Sequence, residues 1–392
     1  MNVLAHTKST ILSPDHNPIL KFFIKHTFYK QFCAGENAQE VQHTVDSLKN
    51  LGYCGVILGY AREVVMDKNQ LAKLASCGNG EVAEECIKKE INPWAKGTRE
   101  TVDLAGPEDF VALKFTGAGS QALFDLSQKS DPSPALAEAI DSICSLADKR
   151  GVRLLFDAEQ QAVQAGIDAW TIKYMKKYNK PDRAVIYGTY QAYLKATPAI
   201  LASHMAEAHK HGFSLGVKLV RGAYLGSDPR HLIHDTKEDT DACYNGIAEA
   251  LNFREYNSTL QPSAPKAPFP PVNVVLAGHN HHSVRKIQSL RTKQAKEGAE
   301  QTDLVYAQLQ GMADEVSTEL LMTCKKDTAD GKKADIPKAY KYLVWGTTGE
   351  CMKYLLRRAQ ENKDAVQRTR EGRNAMAWEL WRRSKGVFGG AA

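Results

Sequence analysis

Phe213-Ser-Leu-Gly-Val-Lys-Leu-Val-Arg-Gly-Ala-Tyr-Leu225 decides how the rest of this chain is read. The apolar run from Phe213 to Val220 has the length and β-branched content of a buried strand, and it stops at Arg221-Gly222. Gly222 removes a side chain where a ligand's backbone or phosphate can approach closely, while Lys218, Arg221 and Tyr224 supply charge and hydrogen bonds around it. Parallel α/β folds bind ligands at such strand ends. The fold therefore turns on whether the pattern recurs.

It recurs seven times. Short β-rich segments lie at residues 56–60, 110–116, 152–157, 184–189, 273–277, 304–309 and 340–345, in addition to 217–220. Helical patterns such as 135–149, 198–211 and 239–255 separate them. Most strand ends follow one another by the thirty-odd residues of a βα unit. Two longer gaps hold a charged helical segment at 83–94 and a proline-rich surface loop at 261–272. Eight βα units predict a distorted (β/α)8 barrel of the TIM type rather than an open doubly wound sheet. The expected organisation is an N-terminal helical arm over 1–50, the barrel over 51–365 with its last helix above the C-terminal face, and a terminal helix and tail over 366–392.

With 392 residues, 43% of them hydrophobic, the chain can bury a core of that size. Its net charge of +6 is spread without a block of like charges, which gives no indication of nucleic-acid binding. Eight cysteines are scattered with no Cys-x-x-Cys spacing in a chain too long to need a disulfide framework, which points to a reducing compartment. No run of 18 apolar residues is present, and the first 30 residues lack the apolar stretch of a secretory signal. A transit peptide is expected to be absent or removed, since the start carries Asp15 and little arginine.

In a (β/α)8 barrel the reactive groups gather at the C-terminal strand ends. Lys114, Asp157, Gln191, Lys218, Arg221, Tyr224, His279, Asn280, Gln308, Gln310 and Tyr342 all fall there. Each alone is more often structural, but their joint placement marks a site. A second group is Tyr354-Leu-Leu-Arg-Arg-Ala-Gln-Glu361 on the helix after the last strand. Thr347 and Glu350 form a capping box that starts this helix. Arg357 and Arg358 reach one side of it, and Glu361, at i+4 and i+3, can pair with either. Paired arginines suit a carboxylate or phosphate, and a solvated basic face is the equal alternative.

Two motifs carry less. Gly278-His279-Asn280-His281-His282 has adjacent histidines and no carboxylate or cysteine at a ligand spacing, so no metal is expected. His279 and Asn280 suit a cofactor phosphate or ribose better. Gly117-Ala-Gly-Ser-Gln-Ala122 matches the dinucleotide fingerprint, but no second strand with an acidic end follows at the required distance. Neither a Walker loop nor a Gly-x-Ser-x-Gly elbow occurs.

Taken together, these motifs resemble those of proline dehydrogenase, the FAD-dependent enzyme of eukaryotic mitochondria and bacterial proline-utilisation flavoproteins. The resemblance runs from Phe28-Tyr-Lys-Gln-Phe-Cys-Ala-Gly-Glu36 through Val220-Arg-Gly-Ala-Tyr224 to Tyr354-Leu-Leu-Arg-Arg358. It implies that Lys114, Asp157, Tyr224, Tyr342, Arg357, Arg358 and Glu361 shape a proline pocket. Arg357, Arg358 and Lys114 would hold the carboxylate, Asp157 would orient Lys114, and Glu361 would brace Arg357. Gln191, Lys218, Val220, Gly222, Ala223, His279 and Asn280 would contact FAD, which takes a hydride from proline C5 at its N5 to leave Δ1-pyrroline-5-carboxylate. Lys218 stands where many relatives carry arginine, and Gly278 where a hydroxyl residue is common.

The resemblance further implies a quinone acceptor and peripheral contact with the matrix side of the mitochondrial inner membrane, for which residues 378–383 are an amphipathic docking candidate. Three other readings stay open: a hydroxyproline dehydrogenase, which Tyr342 opposes sterically; a Schiff-base aldolase using Lys114; and a barrel that only binds.

Overall fold

Eight parallel strands close into a barrel in sequence order, β1 to β8. They are β1 Gly55–Tyr60, β2 Phe110–Leu113, β3 Arg153–Phe156, β4 Ile186–Gln191, β5 Leu215–Val220, β6 Val272–Ala277, β7 Asp303–Leu309 and β8 Lys338–Trp345. Every one lies on a segment expected to be a strand, and the pairing of Gly55 with Tyr340 through Tyr60 with Trp345 seals the ring. The computed structural model describes residues 13–62, 81–329 and 335–366, leaving aside the side chains of 81, 82, 324–329 and 361–366. The tail beyond 366, with the docking candidate at 378–383, lies outside the described residues.

Period-two alternation explains why these strands can be apolar on both faces. Ile57, Phe110, Ala112, Leu155, Tyr187, Val275, Val305, Ala307 and Tyr340 fill the barrel interior. Their neighbours Leu58, Val111, Leu154, Val274, Leu304 and Leu343 belong to the outer core under the helices. At the N-terminal end of the barrel the Arg153 guanidinium lies 3.9 Å from the centre of the Phe110 ring and donates to Tyr340 Oη at 3.2 Å. That stacking, worth about 1–2 kcal/mol when desolvated, closes the floor.

The outer layer is α2 Ala38–Leu51, α3 Asn92–Leu104, α4 Ser120–Gln128, α5 Pro134–Arg150, α6 Gln161–Tyr178, α7 Thr197–His211, α8 Lys237–Phe253, α9 His281–Glu297 and α10 Asp314–Ala329. Before them stands α1 Pro18–Ile24, after them α11 Met352–Val366. Helices α5 and α7 end at Gly151 and Gly212, whose φ of 68° and 67° only glycine adopts without strain.

Two compact units divide the chain: residues 1–32 with 347–392, and residues 33–346. The larger unit holds all eight strands together with α2, inside the span assigned to the arm from sequence. Its edge is fixed by the bridge between Cys33 and Val344 and by Ala34 N donating to Val344 O at 2.8 Å. In the smaller unit the Thr347–Glu350 capping box is formed: Thr347 N donates to Glu350 Oε2 at 2.8 Å, and Glu350 N to Thr347 Oγ1 at 3.2 Å. It closes the turn immediately before α11, and Asp15 accepts from Gly349 N at 2.9 Å.

Both sequence insertions have structure. The charged one is helical: Glu81–Cys86 runs through a π-turn, Ile87–Ile91, into α3. The proline-rich loop is held by Leu260, which is fully buried, by contact of the Tyr256 and Phe269 rings at 5.0 Å, and by Leu215 N donating to Pro271 O at 2.9 Å. Cys86 is disulfide-bonded, so the scattered cysteines are not all free thiols as their spacing led one to expect. Among the described residues, no helix is long and apolar enough to cross a membrane.

Candidate active site at the C-terminal strand ends

Register brings the first two site residues together. Leu113 pairs with Phe156 at the ends of β2 and β3, so Lys114 and Asp157 follow side by side. Lys114 Nζ lies 3.3 Å from Asp157 Oδ2. From β5, Lys218 Nζ reaches Asp157 Oδ1 at 2.5 Å, and from β8 the Tyr342 hydroxyl donates to Asp157 Oδ2 at 3.1 Å. The Lys218 ammonium also stands 5.2 Å from the centre of the Tyr342 ring. Gly59 on β1 faces this hydroxyl, since a Cβ there would come within 3.1 Å of Tyr342 Oη. Four strands thus converge on one carboxylate.

Burial would push the Asp157 carboxyl up, but the Lys218 and Lys114 charges and the hydrogen bonds from Lys218 and Tyr342 outweigh it and hold the group below the usual carboxylate range. Asp157 and Lys218 are both buried. Two ammoniums against one carboxylate leave the cluster with a net positive charge.

Residues assigned to cofactor contact gather around the ends of β4 and β5. Gln191 pairs in register with Val220, and its Oε1 accepts from Ala223 N at 3.1 Å. Its Nε2 is buried with no partner among the described residues, as are Thr189 Oγ1 and Arg221 Nη1. Donors buried in this way need acceptors, and a polar cofactor edge supplies them. Lys218, expected beside a flavin, gives one of its three ammonium donors to Asp157. At Gly222 a Cβ would meet the Tyr193 ring at 2.4–2.6 Å, so this glycine makes room for a tyrosine as well as lying at the strand end. The Tyr193 hydroxyl donates to Asp228 at 2.5 Å, and Asp228 N donates to Tyr224 O at 2.8 Å.

His279 Nε2 accepts from Leu309 N at 3.1 Å, tying the end of β6 to β7. Asn280 caps α9 by accepting from Ser283 N at 3.1 Å, which leaves its amide nitrogen to act as a donor. Arg221 is held on Asp241 at 2.9 Å and on Ser283 Oγ at 2.7 Å, over the Tyr244 ring. Gln308 accepts from Ser317 Oγ at 3.1 Å. His281 and Arg285 both pair with Glu319. Among the described residues no cluster of three potential metal ligands occurs. The glycine-rich turn at 117–119 wraps a carboxylate of the protein itself: Glu90 Oε2 accepts from Ser120 N at 2.7 Å, and a Cβ on Gly119 would strike Glu90.

Arg357 and Arg358 lie on α11 in the smaller unit, where the Arg358 guanidinium is 5.1 Å from the Tyr354 ring centre. Glu361 is on the same helix, its side chain outside the described residues.

Sequence reasoning missed Gly59, Thr189, Tyr193 and Asp228. Thr189 was within reach, because it shares a face with Gln191 two residues on. Tyr193 and Asp228 lie in loops and meet only through folding.

The proline dehydrogenase family model matches residues 41–371. The chain belongs to the proline dehydrogenase family. This membership makes it an oxidoreductase. A probable mitochondrial proline dehydrogenase of Schizosaccharomyces pombe is 30% identical over 406 residues, covering 92% of this chain and 80% of that protein. Hydroxyproline dehydrogenase of Mus musculus is 28% identical, covering 93% and 83%. Among solved structures, proline utilization A from Bdellovibrio bacteriovorus, inactivated by N-propargylglycine, superposes with a TM-score of 0.63 at 18% identity. That likeness covers 92% of this chain and 36% of the other, and it shows the fold.

Proposed function

We propose that this member of the proline dehydrogenase family oxidises L-proline to Δ1-pyrroline-5-carboxylate with FAD as its bound oxidant and a quinone as the final acceptor, in mitochondria. The observation that carries the reading is Asp157 joined to Lys114, Lys218 and Tyr342 at four strand ends. FAD, when bound, supplies a two-electron acceptor for the ring carbon beside the nitrogen. Gln191 Nε2, Thr189 Oγ1 and Arg221 Nη1 are the donors that suit its polar edges, since all three are buried with no partner among the described residues.

The protein's part is position and field. Lys114 offers charge to a substrate carboxylate while Asp157 fixes where its ammonium stands. The net positive cluster disfavours a protonated substrate amine, and oxidation requires that amine to be neutral. Arg357 and Arg358 keep the carboxylate role that the resemblance assigns them, on the chemistry of two adjacent guanidinium forks. An aldolase reading fits poorly, because Lys114 is engaged in an ion pair and a Schiff-base lysine needs a free amine.

The test is the visible spectrum of the purified chain before and after proline is added without air. Flavin bands that bleach with proline support the proposal. A bound flavin that proline leaves oxidised would falsify it. Replacing Arg357 or Arg358 with methionine should raise KM for proline severely while FAD stays bound.

A further inference from the structure

Lys114 is aimed by more than its own strand. Its carbonyl oxygen accepts from Trp94 Nε1 at 3.0 Å and from Gly117 N at 3.2 Å, so two donors hold the peptide directly after its Cα. Trp94 reaches it from α3, 20 positions back in the chain, and is 2% exposed. The turn that follows, Phe115–Ala118, is tied to two carboxylates from other segments. Thr116 N donates to Glu159 Oε1 at 3.1 Å and its hydroxyl to Oε2. Ser120 N donates to Glu90 Oε2 at 2.7 Å, and Ser120 Oγ to Oε1 at 3.1 Å.

Both glycines of this turn are cut to fit those partners. A Cβ on Gly117 would come within 2.9 Å of Trp94 Cδ1 and 2.7 Å of Arg62 O, and one on Gly119 would strike Glu90. Glu90 and Trp94 stand four apart on one helical stretch, so they meet the turn from the same side. The motif that matches a dinucleotide fingerprint thus embraces groups of the protein itself, at the strand end that carries Lys114.

A tryptophan in a core ordinarily gives its Nε1 proton to whichever acceptor is near. Trp170 does so in the same core, donating to Ser130 O at 2.8 Å while its ring packs on Phe115 at 5.2 Å. Trp94 differs in its acceptor, which belongs to the residue whose ammonium lies 3.3 Å from Asp157. A shift of about 1 Å at a substrate contact can cost about 100-fold in rate, so a donor that fixes this backbone bears on function as well as packing.

We propose that Trp94 and Glu90 are positioning residues that set where the Lys114 ammonium meets a substrate carboxylate. The inference rests on the reading of Lys114 as a carboxylate contact, and it makes the inserted segment that carries Glu90 and Trp94 the part that aims it.

The experiment compares, in the full chain, Trp94→Phe with Trp170→Phe; each keeps a ring and deletes one indole donor. Calorimetry reads binding of cyclopentanecarboxylate, a ring acid without the amine, alongside KM and kcat for proline. Trp94→Phe should weaken the acid and raise KM by about fivefold, with kcat within about twofold of wild type, and Trp170→Phe should change neither. Glu90→Ala should shift both in the same direction, and Glu90→Gln, which keeps an oxygen for Ser120 N, should restore most of the loss. Trp94→Phe with wild-type acid affinity, where Lys114→Met weakens it, makes Trp94 structural and overturns this inference alone. Wild-type acid affinity in Lys114→Met sinks the reading of Lys114 and this inference with it.

Discussion

Lys218 crosses the barrel mouth from β5 to the residue after β3, where its Nζ lies 2.5 Å from Asp157 Oδ1. The other carboxylate oxygen serves Lys114 and Tyr342, so Asp157 is the common counter-charge of the site. Removing a buried ion's partner costs more than the pair itself contributes, because the remaining charge stays desolvated. Asp157→Asn should therefore destabilise the fold by about 3 kcal/mol in denaturant titration and lower kcat/KM for proline by about 100-fold. Lys218→Met should cost less stability, because Lys114 still pairs with Asp157. If the Asn variant kept wild-type turnover, Asp157 would not be positioning the site.

Tyr342 is fixed by its bond to Asp157, and Gly59 leaves room for its hydroxyl. A bulky ring held there limits the space for a substituted substrate. Tyr342→Ser should raise the hydroxyproline-to-proline ratio of kcat/KM by about tenfold or more, measured as a competition between the two substrates. Tyr342→Phe keeps the ring and should leave that ratio near wild type while lowering both rates. A Ser variant with an unchanged ratio would assign ring selectivity elsewhere.

Much of this was legible in the sequence, and the reasons differ by residue. All eight strands could be read because each is a short apolar run bounded by polar turn chemistry. Lys114 and Asp157 were legible because both stand one position past a strand, where barrel chemistry sits. The neighbour of Gly222 was hidden: glycine at a strand end looks the same whether its space serves a ligand, a side chain or both, and Tyr193 is 29 positions away in sequence. The partner of Lys218 was hidden likewise, since a lysine's reach across a barrel has no periodic signature. The Glu90 carboxylate under the glycine-rich turn was hidden as well, because its contact with Ser120 spans 30 positions of sequence.

The ring contact with Gly222 makes Tyr193 a positioning residue for the loop that carries Ala223 and Tyr224. Asp228 accepts from its hydroxyl and from Gln161 N at 3.1 Å, which ties together the loops after β3, β4 and β5. Burial and the Asp228 bond both push the Tyr193 phenol well above its ordinary range, so it donates at any working pH. Tyr193→Phe keeps the ring and deletes that donor. The loss of stability should be about 1–2 kcal/mol, with weaker flavin retention on dialysis and a higher KM. A variant that loses stability alone would make the contact purely structural.

Asp168 supplies a pH dependence outside the site. Burial pushes its carboxyl up to about 6, partly offset by the hydrogen bond from Gln164 Nε2 at 2.8 Å. A carboxyl raised on folding opposes the folded state once it ionises. Its cost is absent below the unfolded value near 4, grows between pH 4 and 6, and is complete above pH 6. Asp168 retains some solvent contact, which screens part of the effect and leaves about 1–2 kcal/mol. Asp168→Asn keeps an acceptor for Gln164 and removes the charge. The variant should match wild type at pH 4 and melt higher than wild type at pH 7.5. A Tm gain of equal size at both values would show that the charge of Asp168 is not what limits stability there.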